Sequence, residues 1–180
     1  MTTQDFSFKK LTEDDLPLLL TWFNEPHVQQ WWPIPEKNEV LKHFLTRIRS
    51  KDTFGYIVYF NNTPIGYIQY YYIDRTNPKT GEWLPVTLPD NTVGTDQFIG
   101  DPNFLNKGYG TQFIKAFIGY LQQIEPQITT IIVDPDPSNL AAIKCYEKVG
   151  FKNMGNYQTS YGPILLMRYD SSRTPRFIDL

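Results

Sequence analysis

The sequence predicts a single α/β domain, a mixed β-sheet with helices on its faces. Runs with the two-residue period of strands and runs with the 3.6-residue period of helices follow one another in the order β-α-α-β-β-β-α-β-α-β-β. A chain of 180 residues, 41% of them hydrophobic, buries about 70% of its unfolded surface on folding, enough for one core and short for two. No apolar run reaches the roughly 18–20 residues that cross a bilayer, and the start MTTQDFSFKK lacks the charged head and apolar stretch of a secretion signal. A cytoplasmic, soluble protein is therefore expected.

The elements read off in order. Residues 6–10 (FSFKK) form a first strand, and Thr12 with the acids at 13–15 offers a helix start. Leu16, Leu19, Leu20 and Phe23 then make one apolar stripe, with Pro17 early enough to be tolerated. Residues 24–35, bounded by prolines, read as a loop that exposes Trp31 and Trp32. A helix over 38–49 follows, with Leu41, Phe44, Leu45 and Ile48 as its apolar face. Residues 54–60 and 65–73 read as a hairpin turning through Asn61-Asn62-Thr63-Pro64, with Gly66 marking a bulge. The proline-rich stretch 74–91 has no clear period and reads as a long excursion over one end of the sheet. A strand over 92–99, a glycine-bearing turn over 101–110 and a helix over 110–123 come next. The strand 129–133 is broken by Asp134-Pro-Asp-Pro137. Ser138 is expected to cap a helix that runs through Lys148 and ends at Gly150, and strands near 151–157 and 163–169 close the sheet. Residues 171–180 read as a C-terminal extension.

Composition excludes more than it selects. With 17 Lys and Arg against 19 Asp and Glu, the chain has no basic footprint for nucleic acid. The single Cys145 cannot form an internal disulfide, and on its helix it reads as a small buried residue. His27 and His43 have no Cys or acidic partner at ligand spacing, so no metal site is expected. The aromatic share, 16% with 12 Tyr and 4 Trp, fits either an aromatic-lined pocket or a tyrosine-rich sheet surface.

Two motifs carry chemistry. The first is a strand, then Leu105-Asn-Lys-Gly-Tyr-Gly-Thr111, then an amphipathic helix. Its glycines free backbone N–H groups to face an anion beside a positive helix end. It has neither the GxGxxG spacing of dinucleotide sites nor a Walker ending. The second is Asp134-Pro-Asp-Pro-Ser-Asn139-Leu-Ala-Ala-Ile-Lys-Cys-Tyr146-Glu-Lys-Val-Gly-Phe151, about 30 residues downstream. Together they resemble the GNAT superfamily of acyl-CoA-dependent N-acetyltransferases. The resemblance implies a splayed mixed sheet and acetyl-CoA as donor. By motif, it assigns the coenzyme A pyrophosphate to the turn of Asn106, Lys107, Gly108, Tyr109, Gly110 and Thr111. It assigns the cofactor arm to Asn139 and to the strand backbone at Phe98 and Ile99, and the thioester sulfur to Tyr146. The family's usual Gln or Arg three residues before the first glycine is Leu105 here, which removes a side-chain contact and leaves the backbone cradle.

The resemblance extends to the aminoglycoside 6'-N-acetyltransferases through Glu25-Pro-His-Val-Gln-Gln-Trp31-Trp32, Pro64-Ile-Gly-Tyr-Ile-Gln69, Gly94-Thr-Asp96-Gln-Phe98-Ile-Gly100 and the Asp134 segment. It implies that Asp96 helps to deprotonate the acceptor amine, that Asp134 contacts a cationic substrate, and that Trp31 and Trp32 border the pocket. As a reading of residues alone, the two tryptophans fit core or dimer contacts equally well. Glu82 in the excursion is a further acid for the substrate, and Tyr161 stands in the last hairpin where the family leads one to expect an Asp. An ammonium must lose a proton before it attacks a thioester, so a base in reach of the amine is useful, and Tyr146 can return a proton to the leaving thiolate. The expected partner is a small amine, first an aminoglycoside in the setting of antibiotic resistance. A polyamine, amino sugar, siderophore precursor or protein amine is the alternative, and a non-catalytic acyl-CoA sensor stands outside that class. A monomer or a homodimer is expected, with no nucleic acid or membrane partner.

Overall fold

The computed structural model describes residues 6–34, 36–73, 87–160 and 162–171. Among them seven strands form one mixed sheet in the order β1-β2-β3-β4-β5-β7-β6. The strands are β1 (Phe6–Lys10), β2 (Thr53–Phe60), β3 (Thr63–Tyr72), β4 (Thr92–Ile99), β5 (Thr130–Val133), β6 (Lys152–Thr159) and β7 (Gly162–Asp170). The helices are α1 (Leu16–Trp22), α2 (Pro26–Gln29), α3 (Lys37–Arg49), α4 (Tyr109–Ile124) and α5 (Leu140–Val149). β1, β2 and β3 pair antiparallel, β4 and β5 pair parallel, and β7 runs antiparallel to both β5 and β6. No helix among the described residues is long and apolar enough to cross a membrane.

The chain divides into two compact units, Met1–Tyr71 with Asp96–Ala116, and Tyr72–Thr95 with Phe117–Leu180. In the first, Thr12 opens a short 3-10 turn over Glu13–Asp15. The Asp15 carboxylate accepts from the Thr12 N–H (2.9 Å) and hydroxyl (3.0 Å). The α1 stripe buries as its spacing demands, with Leu19 and Phe23 almost fully covered beside Trp22. Two of the helical expectations for this unit change. Within 24–35 the chain winds into α2, because Pro26 at a first helical position has a pre-set φ and lacks only an N–H that would go unpaired there. In α3 the buried face is set by Val40 and Phe44, while Leu41 and Leu45 line a surface groove with Asn38 and Lys42. The core therefore sits about one residue round the helix from the predicted stripe.

The β2–β3 hairpin turns on two residues only. Asn61 and Asn62 both take positive φ (47° and 65°), the conformation that matches strand twist in a tight hairpin and that asparagine tolerates. Pro64, expected in the turn, lies in β3 instead, paired with Tyr59. Since Val58 pairs with Gly66, Ile65 is the extra residue of a bulge. The Ile65 carbonyl turns to accept from Gly100 N (2.8 Å) and Asp101 N (3.2 Å). A Cβ at Gly66 would collide with the Phe98 carbonyl, so this glycine lets β3 approach β4.

In the second unit every residue of β5 is buried. Leu88, Ile132 and Leu166 form a small core, with Met154 and Tyr157 packed on it. The β4–β5 register covers Thr92–Gly94 against Thr130–Ile132 and ends there, although β4 itself continues to Ile99. α5 differs from expectation at its start. Its N-cap is Asn139, whose side chain accepts from Ala142 N (3.1 Å). Ser138 is drawn off by Asp136, which accepts from its N–H (2.7 Å) and hydroxyl (2.5 Å). Gly150 ends the helix in a left-handed conformation (φ 116°).

Candidate active site

Asp96 lies in the half of β4 that belongs to the first unit, and a neighbouring strand positions it. The Gln69 side-chain amide donates to Asp96 Oδ2 at 2.7 Å, and the Tyr67 hydroxyl donates to Gln69 Oε1 at 2.8 Å. Tyr67 and Gln69 are two residues apart on β3 and so share one face of the sheet. Both are almost completely buried, and Asp96 is partly so. Burial raises the Asp96 carboxyl above the usual carboxylate range, opposed by the Gln69 hydrogen bond and by the positive Arg47. Burial also pushes the Tyr67 phenol far up, so it stays a donor at any physiological pH. On α3, burial and then Arg47 lower His43 to about 4, leaving it neutral near pH 7. Arg47 Nε and His43 Nε2 are buried without a hydrogen-bond partner.

Aromatic rings wall this region. Phe98, next but one to Asp96, meets Trp32 (5.2 Å), Phe23 (5.6 Å) and Tyr67 (5.6 Å). Trp32 also packs on His43 at 6.0 Å. The two tryptophans thus part company: Trp32 is packed against the core, while Trp31 is 37% exposed. His27 Nε2 bonds the Ile99 carbonyl at 2.9 Å and fixes the end of β4.

The turn between β4 and α4 begins with Asp101, whose Oδ1 accepts from Asn103 N (2.9 Å) and Nδ2 (3.0 Å). Lys107 Nζ reaches back to the Asn103 carbonyl (2.8 Å). Asn106 and Gly108 hold positive φ (56° and 82°) on either side of Lys107. A Cβ at Gly108 would meet nothing closer than Gln112 Nε2 at 3.7 Å. Backbone conformation, and not crowding, is what calls for glycine here. Such alternation aims successive N–H groups to one side, at the start of a 16-residue helix whose dipole favours an anion. Tyr109, at the first position of that helix, instead packs on Phe60 (4.9 Å) and Phe104 (5.0 Å). Gly110 and Thr111 follow it in the first turn of α4. The residues present fit a pyrophosphate.

In the second unit Tyr146 is 8% exposed on α5, with its ring 5.5 Å from Phe151. Cys145 beside it is partly buried. Asp134 is partly buried at the end of β5, and Asp136, two residues further on, is held below the usual range by the Ser138 hydrogen bonds. Glu82 and Tyr161 lie outside the described residues, as does most of the 74–91 excursion. Among the described residues no group of three His, Cys, Asp or Glu is placed to hold a metal. Sequence reasoning missed Tyr67, Gln69, Arg47 and His43. The i, i+2 spacing of two polar groups in an otherwise apolar strand was the available signal for the first two.

This fold and these motifs define an acyl-CoA-dependent acyltransferase class. A family model described as an acetyltransferase (GNAT) domain matches residues 12–159, and the chain belongs to that family. Among its relatives, the aminoglycoside N(6')-acetyltransferase type 1 of Serratia marcescens is 35% identical over 179 residues, covering 95% of this chain and 87% of that protein. The crystal structure of the aminoglycoside acetyltransferase AAC(6')-Ib with coenzyme A and kanamycin has a TM-score of 0.81 and 33% identity, covering 92% of this chain and 94% of that one. A structure of AAC(6')-Ib with Parmomycin and AcetylCoA has a TM-score of 0.82 and 31% identity, covering 95% and 99%.

Proposed function

We propose that this protein transfers the acetyl group of acetyl-CoA to the 6'-amine of an aminoglycoside. The observation that carries the reading is the Asp96 carboxylate, partly buried and held by Gln69, in a chain similar over nearly its whole length to enzymes named for that reaction. Acetyl-CoA supplies an activated thioester. The turn from Asn106 to Thr111 binds the pyrophosphate through backbone N–H groups, and Asn139 lies along the cofactor arm. Asp96 binds the acceptor ammonium and takes its proton, so that the neutral amine can attack. Its raised pKa makes it a better base than an exposed Asp. Backbone N–H groups at Phe98 and Ile99 stabilise negative charge on the carbonyl oxygen, and Tyr146 donates a proton to the leaving sulfur. The family motifs give Trp31, Trp32 and Asp134 to the acceptor as well.

The test is acetyl-CoA-dependent thiol release by purified protein with aminoglycosides that have or lack a free 6'-amine. Turnover confined to the former establishes reaction and regiochemistry. One observation favours a second reading, another small amine: a positive group, Arg47, acts on Asp96, whereas an acceptor with many ammonium groups calls for anions. Polyamines and amino sugars in the same panel separate the two, and turnover of these alone replaces the first reading.

A further inference from the structure

The Asp96 carboxylate is the end of a hydrogen-bonded chain that starts on the neighbouring strand, β3. Ionised Asp96 only accepts, so Gln69 must present its NH2 group to Oδ2 (2.7 Å), which turns Gln69 Oε1 towards Tyr67. That oxygen is buried and needs a donor, and the Tyr67 hydroxyl supplies one at 2.8 Å. The tyrosine in turn occupies space that Gly55 leaves open on β2. A Cβ at Gly55 would stand 2.6 Å from the Tyr67 hydroxyl oxygen and 3.0 Å from a ring carbon, and Gly55 is the residue paired with Gln69 in the β2–β3 register. Phe44 (5.1 Å) and Trp32 (6.3 Å) clamp the same ring edge-on from outside the sheet. Every member of the chain therefore has its orientation fixed by the next.

We propose that Tyr67 and Gln69 are positioning residues for the acetyl transfer: with the space left by Gly55, they lock one oxygen of Asp96 and leave the other to face the acceptor ammonium. The inference rests on the reading of Asp96 as the group that meets the amine. A carboxylate with one oxygen tied in the sheet presents a single acceptor direction, which selects one amine geometry and prevents the side chain from rotating away. The tie also favours the charged form against burial. The other groups acting on Asp96 are Arg47 of α3, which favours the charged form too, and Tyr67 itself, which remains neutral. His43, which also lies on α3, is neutral above about pH 4.

The experiment follows Asp96 directly. Its side-chain carboxyl is titrated by carbon NMR in the full-length protein labelled at aspartate, with assignment by loss of the signal in Asp96→Asn. The pH dependence of kcat/KM with acetyl-CoA and kanamycin is measured in parallel. Gln69→Leu is expected to move the Asp96 midpoint, and with it the acidic limb of the rate profile, upward by about one pH unit, because a hydrogen bond to the charged form is lost. Tyr67→Phe, which deletes one oxygen and is the variant least prone to misfold, and Gly55→Ala should move both in the same direction by less. A lower melting temperature with an unmoved midpoint in Tyr67→Phe and Gln69→Leu would show that the two residues serve stability alone and would overturn the proposal. The NMR midpoint needs no acceptor. Silence with kanamycin together with shifted midpoints would therefore remove the substrate reading and keep the positioning chain, while turnover with unmoved midpoints would do the reverse.

Discussion

A side chain on β4 becomes a base only through what surrounds it. Asp96 is drawn up by burial and drawn down by Gln69 and Arg47, and the net shift is upward, towards a stronger base. Asp96→Asn keeps the shape and removes the basic oxygen. It should lower kcat by about 100-fold or more, within the usual worth of general base catalysis, while coenzyme A affinity stays within about twofold. Equal turnover in the variant would exclude Asp96 from the chemistry. His43 gives a prediction about stability. Its folded pKa of about 4 lies below the unfolded 6.5, so between those values the unfolded chain holds the extra proton and stability falls as pH drops from about 6.5 to about 4. His43→Leu should flatten that part of the melting-temperature profile, and an equally steep profile would refute the assignment. The sequence showed Asp96 through its motif. It hid Tyr67 and Gln69, since a Tyr and a Gln in a strand look alike whether they face water or each other.

Elements fix where backbone groups point. Asn139 caps α5 through its oxygen, so a contact with the cofactor would fall to its amide NH2. Asn139→Asp keeps the accepting oxygen and should cost only a few tenths of a kcal/mol, whereas Asn139→Ala should cost about 1 kcal/mol of stability in urea titrations. If the amide meets coenzyme A, both variants bind it more weakly, and undiminished affinity in Asn139→Asp would leave the residue a cap and nothing more. Gly66 is a second element-scale constraint. The atom in the way of a Cβ is the Phe98 backbone oxygen, which cannot swing aside as a side chain does. Gly66→Ala should therefore destabilise by about 2–3 kcal/mol and depress turnover by displacing β4. An unchanged urea midpoint would mean that β3 yields there at little cost. The motif at 134–151 predicted α5 to within two residues at its start, but not which polar residue caps it. Ser138 and Asn139 are both good caps, and the choice fell to Asn139 because Asp136 captures Ser138 first.

For the whole molecule, ligand binding is a stability term. At a coenzyme A concentration of 100 times Kd the folded state gains about 2.7 kcal/mol, which for a chain of this size should raise the melting temperature by about 5–10 °C. No shift at saturating coenzyme A would count against the cradle. The aromatic surplus also resolves at this scale. Tyr56, Tyr67 and Tyr70 are nearly fully buried in the first unit, where Phe23, Trp32, Phe44 and Phe98 make edge-on contacts with one another and Trp32 and Phe44 meet Tyr67 edge-on. Most of the aromatic residues named here fill the core, and one of them, Tyr67, hydrogen-bonds to Gln69.

The sequence by itself determined the order of elements apart from α2, the glycine turn, the Asp134–Phe151 segment and the family, because each is written in local periodicity or in residue types at fixed spacing. Tertiary structure alone decided the face that α3 buries, the separate environments of Trp31 and Trp32, and the chain from Gly55 through Tyr67 and Gln69 to Asp96. Those depend on how elements pack on one another and on the register between strands, which a bulge such as that at Ile65 shifts. There a pairing such as Gly55 with Gln69 decides which side chains meet, and no local pattern encodes it.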